Sequence, residues 1–140
     1  MLKLDDAAKV QDIARCFATM AQLRTGLTEE RFVAQVVRQQ QTGYVLTYGS
    51  LEGQVAVVAG WRLRENLVLG QHAYVDDLVT DDAHRGQGYG AAMLEHIAER
   101  ARAVGCTELL LDSGVQRHEA HRFYLRDRFD IRGYLFVKSL

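Results

Sequence analysis

Apolar residues recur at helical spacing near the start of the chain. Val10, Ile13, Ala14, Phe17 and Ala21 share one face, with Lys9, Asp12, Arg15 and Gln22 off it, which predicts a helix with Asp5 or Asp6 as its cap. A second helix is predicted from Thr28, with Glu29 and Glu30 in the first turn, where the helix dipole favours acids. Phe32, Val33, Val36 and Val37 form its apolar stripe, and Gly43 ends it. Before these helices only Leu2-Lys3-Leu4 is a candidate strand.

The pattern then changes to that of strands. Tyr44 to Tyr48 is short and rich in β-formers, and Gly49-Ser50-Leu51-Glu52-Gly53 reads as a hairpin turn. Val55 to Leu63 is the return strand. Another follows within Leu67 to Thr80, best defined over His72 to Thr80. From Gly88 to Val104 the helical period returns, with Met93, Leu94, Ile97, Ala98, Ala101 and Val104 on one face and Gly105 as the expected terminator. Three consecutive leucines in Glu108 to Asp112 suit a strand buried on both faces. A short helix over about Gln116–Arg126 and a last strand, Tyr134 to Lys138, complete the prediction. The order ααβββαβαβ implies a mixed sheet with helices on both sides, α/β or α+β, in one domain over residues 1–140.

Composition narrows the classes. With 48% hydrophobic and 25% charged residues, the chain has the makeup of a soluble globular domain. Its formal charge of −1 offers no basic footprint, so no nucleic-acid partner is expected. Cys16 and Cys106 have no metal or disulfide spacing, so no metal is expected. No apolar run suits a signal peptide or a bilayer span, so the expected setting is cytoplasmic, with no membrane partner.

The distinctive chemistry lies in Arg85-Gly86-Gln87-Gly88-Tyr89-Gly90, between a predicted strand and an amphipathic helix. Amides at a helix start lack internal acceptors and sit at the positive end of the dipole. A pyrophosphate can take several of them where no Cβ blocks its approach, and Arg85 adds a charged fork. The plain alternative is a flexible turn and helix cap. A P-loop is excluded because Ala91-Ala92 follows the last glycine in place of lysine and a hydroxyl residue. A dinucleotide fold would open the chain with such a loop and continue with further βαβ units.

With this loop in place the sequence resembles the GNAT superfamily of acyl-CoA-dependent N-acetyltransferases. The loop fits the family's cofactor pattern: Gln or Arg, two residues, Gly, one residue, then Gly or Ala. Tyr74-Val75-Asp76-Asp77-Leu78-Val79-Thr80 looks like its central strand, Leu109-Leu110-Leu111-Asp112-Ser113-Gly114 like the next, and Ala120-His121-Arg122-Phe123-Tyr124 like its tyrosine-bearing helix. Where the family usually has a glycine before an aromatic, Asp127-Arg128 stands before Phe129.

The resemblance implies a mostly antiparallel sheet with a splayed central strand, and acetyl-CoA as acyl donor. The implied cofactor contacts are the backbone near Leu78, Val79 and Thr80 and the run Arg85, Gly86, Gln87, Gly88, Tyr89, Gly90 and Ala91. The amide of Leu78 or Val79 would polarise the thioester oxygen. Tyr124 resembles the general acid that protonates the departing thiolate; its alternative is a core aromatic beside Phe123. Asp76, acting through water, is the candidate base, while either Asp76 or Asp77 could instead bind a cationic acceptor or cap backbone. Strand alternation puts Asp77 on the face opposite Asp76.

His118 and His121 are placed as solvated or hydrogen-bonded histidines that could shuttle protons. Asp112 and Ser113 either orient Tyr124, contact the pantetheine or end a strand. Cys106 reads as inert burial, and Trp61 and Tyr48 as sheet packing, with acceptor contact as their alternative. The acceptor is left open among polyamine, aminoglycoside, amino acid and protein lysine, and a homodimer is compatible with such a sheet. A non-catalytic acyl-CoA-binding regulatory module is the other reading; it would keep the loop and need neither Asp76 nor Tyr124.

Overall fold

The computed structural model describes residues 1–140, which pack as two compact units, 1–110 and 111–140. The chain runs β1 (Lys3–Asp6), α1 (Val10–Arg15), α2 (Phe17–Met20), α3 (Glu29–Gln40), β2 (Val45–Leu51), β3 (Gln54–Asn66) and β4 (Gly70–Thr80). A 3-10 turn (Asp82–His84), α4 (Tyr89–Ala103), β5 (Leu109–Leu111) and α5 (His118–Arg126) follow. Five strands form one sheet in the order β1-β2-β3-β4-β5, the first four antiparallel. Ala73 N–H donates to Glu108 O at 3.1 Å, at the approach of the chain to β5.

Strand parity divides the first unit into two layers. Leu46, Tyr48, Val58 and Val79 pack with Ile13, Cys16, Met20, Phe32 and Val36 of α1, α2 and α3. Residues of the other parity face α4, whose Met93, Leu94, Ile97 and Ala101 are buried as their spacing predicts. On that side the Arg100 guanidinium lies 4.8 Å from the Trp61 ring, and Trp61 Nε1 donates to Thr47 Oγ1 at 3.0 Å. Trp61 and Tyr48 are therefore packing residues, as expected.

Local signals set several boundaries. Thr28 caps α3 by accepting from Arg31 N–H at 3.2 Å. Gly105 follows α4 with φ +93°, the left-handed conformation that suits glycine after a helix. The β2–β3 turn is tighter than predicted. It consists of Glu52 and Gly53, both at positive φ (49° and 82°), and β2 continues through Gly49 to Leu51. At Gly49, beside a β-bulge, any Cβ would collide with Val57, Leu2 and Leu4 side chains.

Four elements differ from the sequence reading. The predicted first helix is divided at Cys16, whose amide takes the tighter acceptor Ile13 O at 3.0 Å. A first strand exists where only Leu2-Lys3-Leu4 suggested one: β1 pairs with β2 from Lys3↔Ser50 to Asp6↔Thr47. β5 is half-buried and not covered on both faces. The last strand over Tyr134–Lys138 does not form; those residues are in no strand and are exposed.

Candidate active site

The loop after β4 is built as its chemistry requires. Gly86 and Gly88 have φ +78° and +85°, a left-handed backbone that side chains adopt only with strain. Gly88 is the N-cap of α4 and offers no side-chain cap. Helix geometry leaves the amides of Tyr89, Gly90 and Ala91 without intrahelical acceptors; the helical pattern begins with Ala92 N–H donating to Gly88 O at 3.0 Å. Nothing lies within 4 Å of where a Cβ would sit on Gly86 or Gly88. Arg85 pairs with Asp82 at 2.8 Å, but both side chains are more than half exposed, so the pair holds the guanidinium only weakly. These residues fit a diphosphate: free donors, open approach and an exposed positive fork.

The loop leaves β4 through a fixed anchor. Asp81 N–H donates to Ala56 O at 2.8 Å, and the Asp81 carboxylate accepts from Gln22 Nε2 at 2.8 Å and Ala83 N–H at 3.1 Å. His84 Nδ1 lies 3.1 Å from Asp81 Oδ2. The Gln22 hydrogen bond, with those of His84 and Ala83, holds the carboxyl below the usual aspartate range despite partial burial.

Upstream, the two aspartates of β4 do not lie on opposite faces as alternation predicts. The β3–β4 register passes from Gly60↔Asp77 to Trp61↔Val75, so Asp76 is the extra residue of a bulge that resets the phase. Both carboxylates enter one polar network. Asp77 accepts from Arg24 Nε (2.9 Å) and Tyr44 Oη (2.8 Å). Asp76 Oδ2 accepts from Arg62 Nε at 2.9 Å, and Arg24 Nη2 reaches the Asp76 carbonyl at 2.9 Å. The Arg62 guanidinium also lies 5.3 Å from the Tyr44 ring centroid. Burial, with the charge and hydrogen bond of Asp77, pushes the Tyr44 phenol far above its ordinary value, so it stays a donor. Gly60 makes this contact available, since any Cβ there would overlap the phenol.

Both oxygens of Asp77 are thus engaged, whereas Asp76 has only Oδ2 in a hydrogen bond; their side chains are 16% and 27% exposed. Sequence reasoning missed Arg24, Tyr44, Arg62 and Gln22 because they come from separate elements and carry no local motif. The approach of the Tyr44 phenol to Gly60 is visible only once the strands are in register, and it leaves no signal in the sequence.

In the second unit Tyr124 is buried on α5, with Phe123 and Phe129 rings 5.3 and 5.6 Å away. Burial pushes its phenol above the ordinary value, against an opposing pull from Arg117. His121 Nε2 lies 2.7 Å from Gly114 O, and the His118 ring centroid is 6.2 Å from that of His121. Ser113 Oγ is buried without a hydrogen-bond partner. Cys106 is buried, as expected.

A layered α/β fold with an uncapped, glycine-lined helix start at the end of β4 defines a protein suited to a phosphorylated ligand. Residues 8–128 match the model of the acetyltransferase (GNAT) family. The chain is 30% identical over 142 residues to the uncharacterized N-acetyltransferase YhdJ of Bacillus subtilis, with 100% of each covered. It is 30% identical over 95 residues to the aminoalkylphosphonate N-acetyltransferase of Salmonella typhimurium, covering 68% of this chain and 60% of that one. Its fold matches that of aminoglycoside N-acetyltransferase AAC(6')-Iy, solved in complex with CoA. The TM-score is 0.89 at 11% identity, over 100% of this chain and 95% of that one. The chain belongs to the GNAT family and is an acyl-CoA-dependent N-acetyltransferase. No helix is long and apolar enough to cross a membrane.

Proposed function

We propose that the protein moves an acetyl group from acetyl-CoA to a primary amine, within one N-acetyltransferase domain spanning residues 1–140. The observation that carries this is the start of α4, where left-handed Gly86 and Gly88 leave first-turn amides uncapped and open. Tyr89, Gly90 and Ala91 would hold the diphosphate through those amides, with Gln87 in the loop and Arg85 exchanging its weak pair with Asp82 for phosphate oxygens. The backbone of Leu78, Val79 and Thr80 would align the pantetheine arm. Acetyl-CoA supplies the acyl group as an activated thioester.

The remaining roles belong to this chain. An amide of Leu78 or Val79 donates to the carbonyl oxygen as its charge develops. Asp76, with one oxygen outside the Arg62 pair, accepts the amine proton through water, while Asp77 is held in place by Arg24 and Tyr44. Tyr124 protonates the leaving thiolate, and its raised phenol keeps that proton available at neutral pH.

The test is thiol release from acetyl-CoA with a panel of amines: polyamine, aminoglycoside, amino acid, peptidyl lysine and aminoalkylphosphonate, the last class named for a relative. At least one amine should release free CoA well above the hydrolysis rate. The Tyr124→Phe variant should bind acetyl-CoA normally and turn over about 10²–10⁴-fold more slowly. Tight CoA binding with no amine-dependent release from any class would favour a non-catalytic binding module.

A further inference from the structure

Two guanidiniums converge on Asp76, the bulge residue of β4 that keeps one carboxylate oxygen free. Arg24 Nη2 donates to the Asp76 carbonyl at 2.9 Å, and Arg62 Nε donates to Asp76 Oδ2 at 2.9 Å. They arrive on different supports. Arg24 stands between α2 and α3, where its own N–H donates to Met20 O at 2.9 Å and fixes the backbone. Arg62 stands on β3 just past Trp61, where pairing with β2 ends. Neither fork is saturated. Arg24 also commits Nε to Asp77 Oδ1, which leaves Nη1 unengaged on a side chain 47% exposed. Arg62 keeps both Nη groups outside hydrogen bonds.

The charges in this network cancel. Asp76 and Asp77 set two carboxylates against the guanidiniums of Arg24 and Arg62, and the Tyr44 hydroxyl that completes the network is neutral. Alternation adds Arg64 to the face that carries Arg62, and its exposed guanidinium lies 4.4 Å from the Tyr74 ring centroid. The surroundings of the free Asp76 oxygen therefore hold no surplus of negative charge for a second cationic group. A polyamine or an aminoglycoside would bring its additional ammonium groups against guanidiniums, and like charges at close range disfavour such a complex. An oxyanion in the same place would meet N–H donors whose planar fork matches it.

We propose that the acceptor is an amine that also carries an acidic group, a carboxylate, sulfonate or phosphonate, a few bonds from its nitrogen. The amine sits at the free oxygen of Asp76, and the acidic group takes the unengaged edge of Arg24, with Arg62 beside it. This rests on the reading of Asp76 as the group that receives the amine proton. Arg24 is then a specificity residue. It reads the end of the acceptor that does not react, and a guanidinium left without its oxyanion makes the neutral analogue a poorer ligand. Pairing with Asp77 orients the fork without filling it. Lysine would not substitute, since a point-charge ammonium lacks the planar fork that holds Asp77, the Asp76 carbonyl and an incoming oxyanion together.

Isothermal titration of the full chain, with and without CoA, reads acceptor binding apart from turnover. The probes are β-alanine and aminoethylphosphonate, set against ethanolamine and diaminopropane. Both acid-bearing amines should bind at least about tenfold more tightly than the neutral amine or the diamine. In Arg24→Gln, checked by circular dichroism to be folded, the ratio of acid-amine to ethanolamine affinity should fall at least about tenfold, and Arg24→Lys should restore little of it. The ratio cancels any loss through Asp77 that the ligands share. A diamine bound as tightly as the acid amines, no saturable heat with either acid amine, or an unchanged ratio in folded Arg24→Gln would each overturn the assignment. Thiol release from acetyl-CoA separates this site from the transfer reaction. Acid amines that bind with the expected preference and release no thiol would leave the acceptor site standing and contradict the activity. Release led by the diamine would uphold the activity and contradict the acid-amine site.

Discussion

Arg128 has φ +69°, the left-handed conformation that glycine adopts without strain. It terminates α5: Phe129 N–H donates to Tyr124 O at 2.9 Å and Arg128 N–H to Leu125 O at 3.2 Å, the paired bonds of a Schellman stop. The family's usual glycine at this point is thus explained by backbone geometry, and this chain keeps the geometry with an arginine. Arg128→Gly should raise stability by up to about 1 kcal/mol, the relief of left-handed strain less the extra entropy of an unfolded glycine. A thermal melt should move up by a few degrees.

Tyr44 is a second single-residue device. Its hydroxyl is one of two donors on a mostly buried Asp77 carboxylate. Tyr44→Phe should cost about 1.5–3 kcal/mol in denaturant unfolding, the range for a hydrogen bond to a charged group. None of this network was legible from sequence. The Asp76–Asp77 pair was, but alternation alone assigned the two side chains to opposite faces, because a bulge leaves no trace in local spacing.

Among the elements, α3 and α4 were readable because a capping threonine and a terminal glycine frame uninterrupted apolar stripes. β1 was not. Its residues Lys3, Leu4, Asp5 and Asp6 have low strand propensity, and they become a strand by pairing with β2 and through one long-range tie. In that tie Arg100 of α4 donates to both Asp6 oxygens at 2.8 and 2.9 Å, and Thr47 Oγ1 donates at 2.8 Å. Burial alone would raise the Asp6 carboxyl, but the Arg100 and Thr47 hydrogen bonds and the Arg100 charge outweigh it and hold it below its usual value. A depressed carboxyl stabilises the fold above its unfolded value, about 3.9, and that contribution is lost as pH falls through the lower folded value. Unfolding followed from neutral pH to below about pH 4, the unfolded aspartate value, should show an acid limb that Asp6→Asn flattens. An unchanged limb would remove Asp6 from the account.

At the scale of the whole molecule, the order of elements and the loop from Arg85 to Gly90 were enough to place the chain in its family, since helical and strand periods alternate clearly between residues 28 and 126. The C-terminal run failed as a predicted strand for a physical reason: strand-forming side chains need a paired, covered setting, and residues 134–138 are in no strand and exposed. Periodicity reports what a segment can become, and pairing decides whether it does.

The activity proposed here depends on the α4 start holding a diphosphate. Isothermal titration of the folded chain with CoA, set against the same titration of Gly88→Val, tests this most directly. At Gly88 a branched side chain would be forced into φ +85° beside the first-turn amides. Saturable heat with the natural chain and at least about a tenfold loss of affinity in the variant, a single interaction's worth of about 1.4 kcal/mol, is the predicted result. No heat with CoA, or equal affinity in a variant shown to be folded, would contradict it.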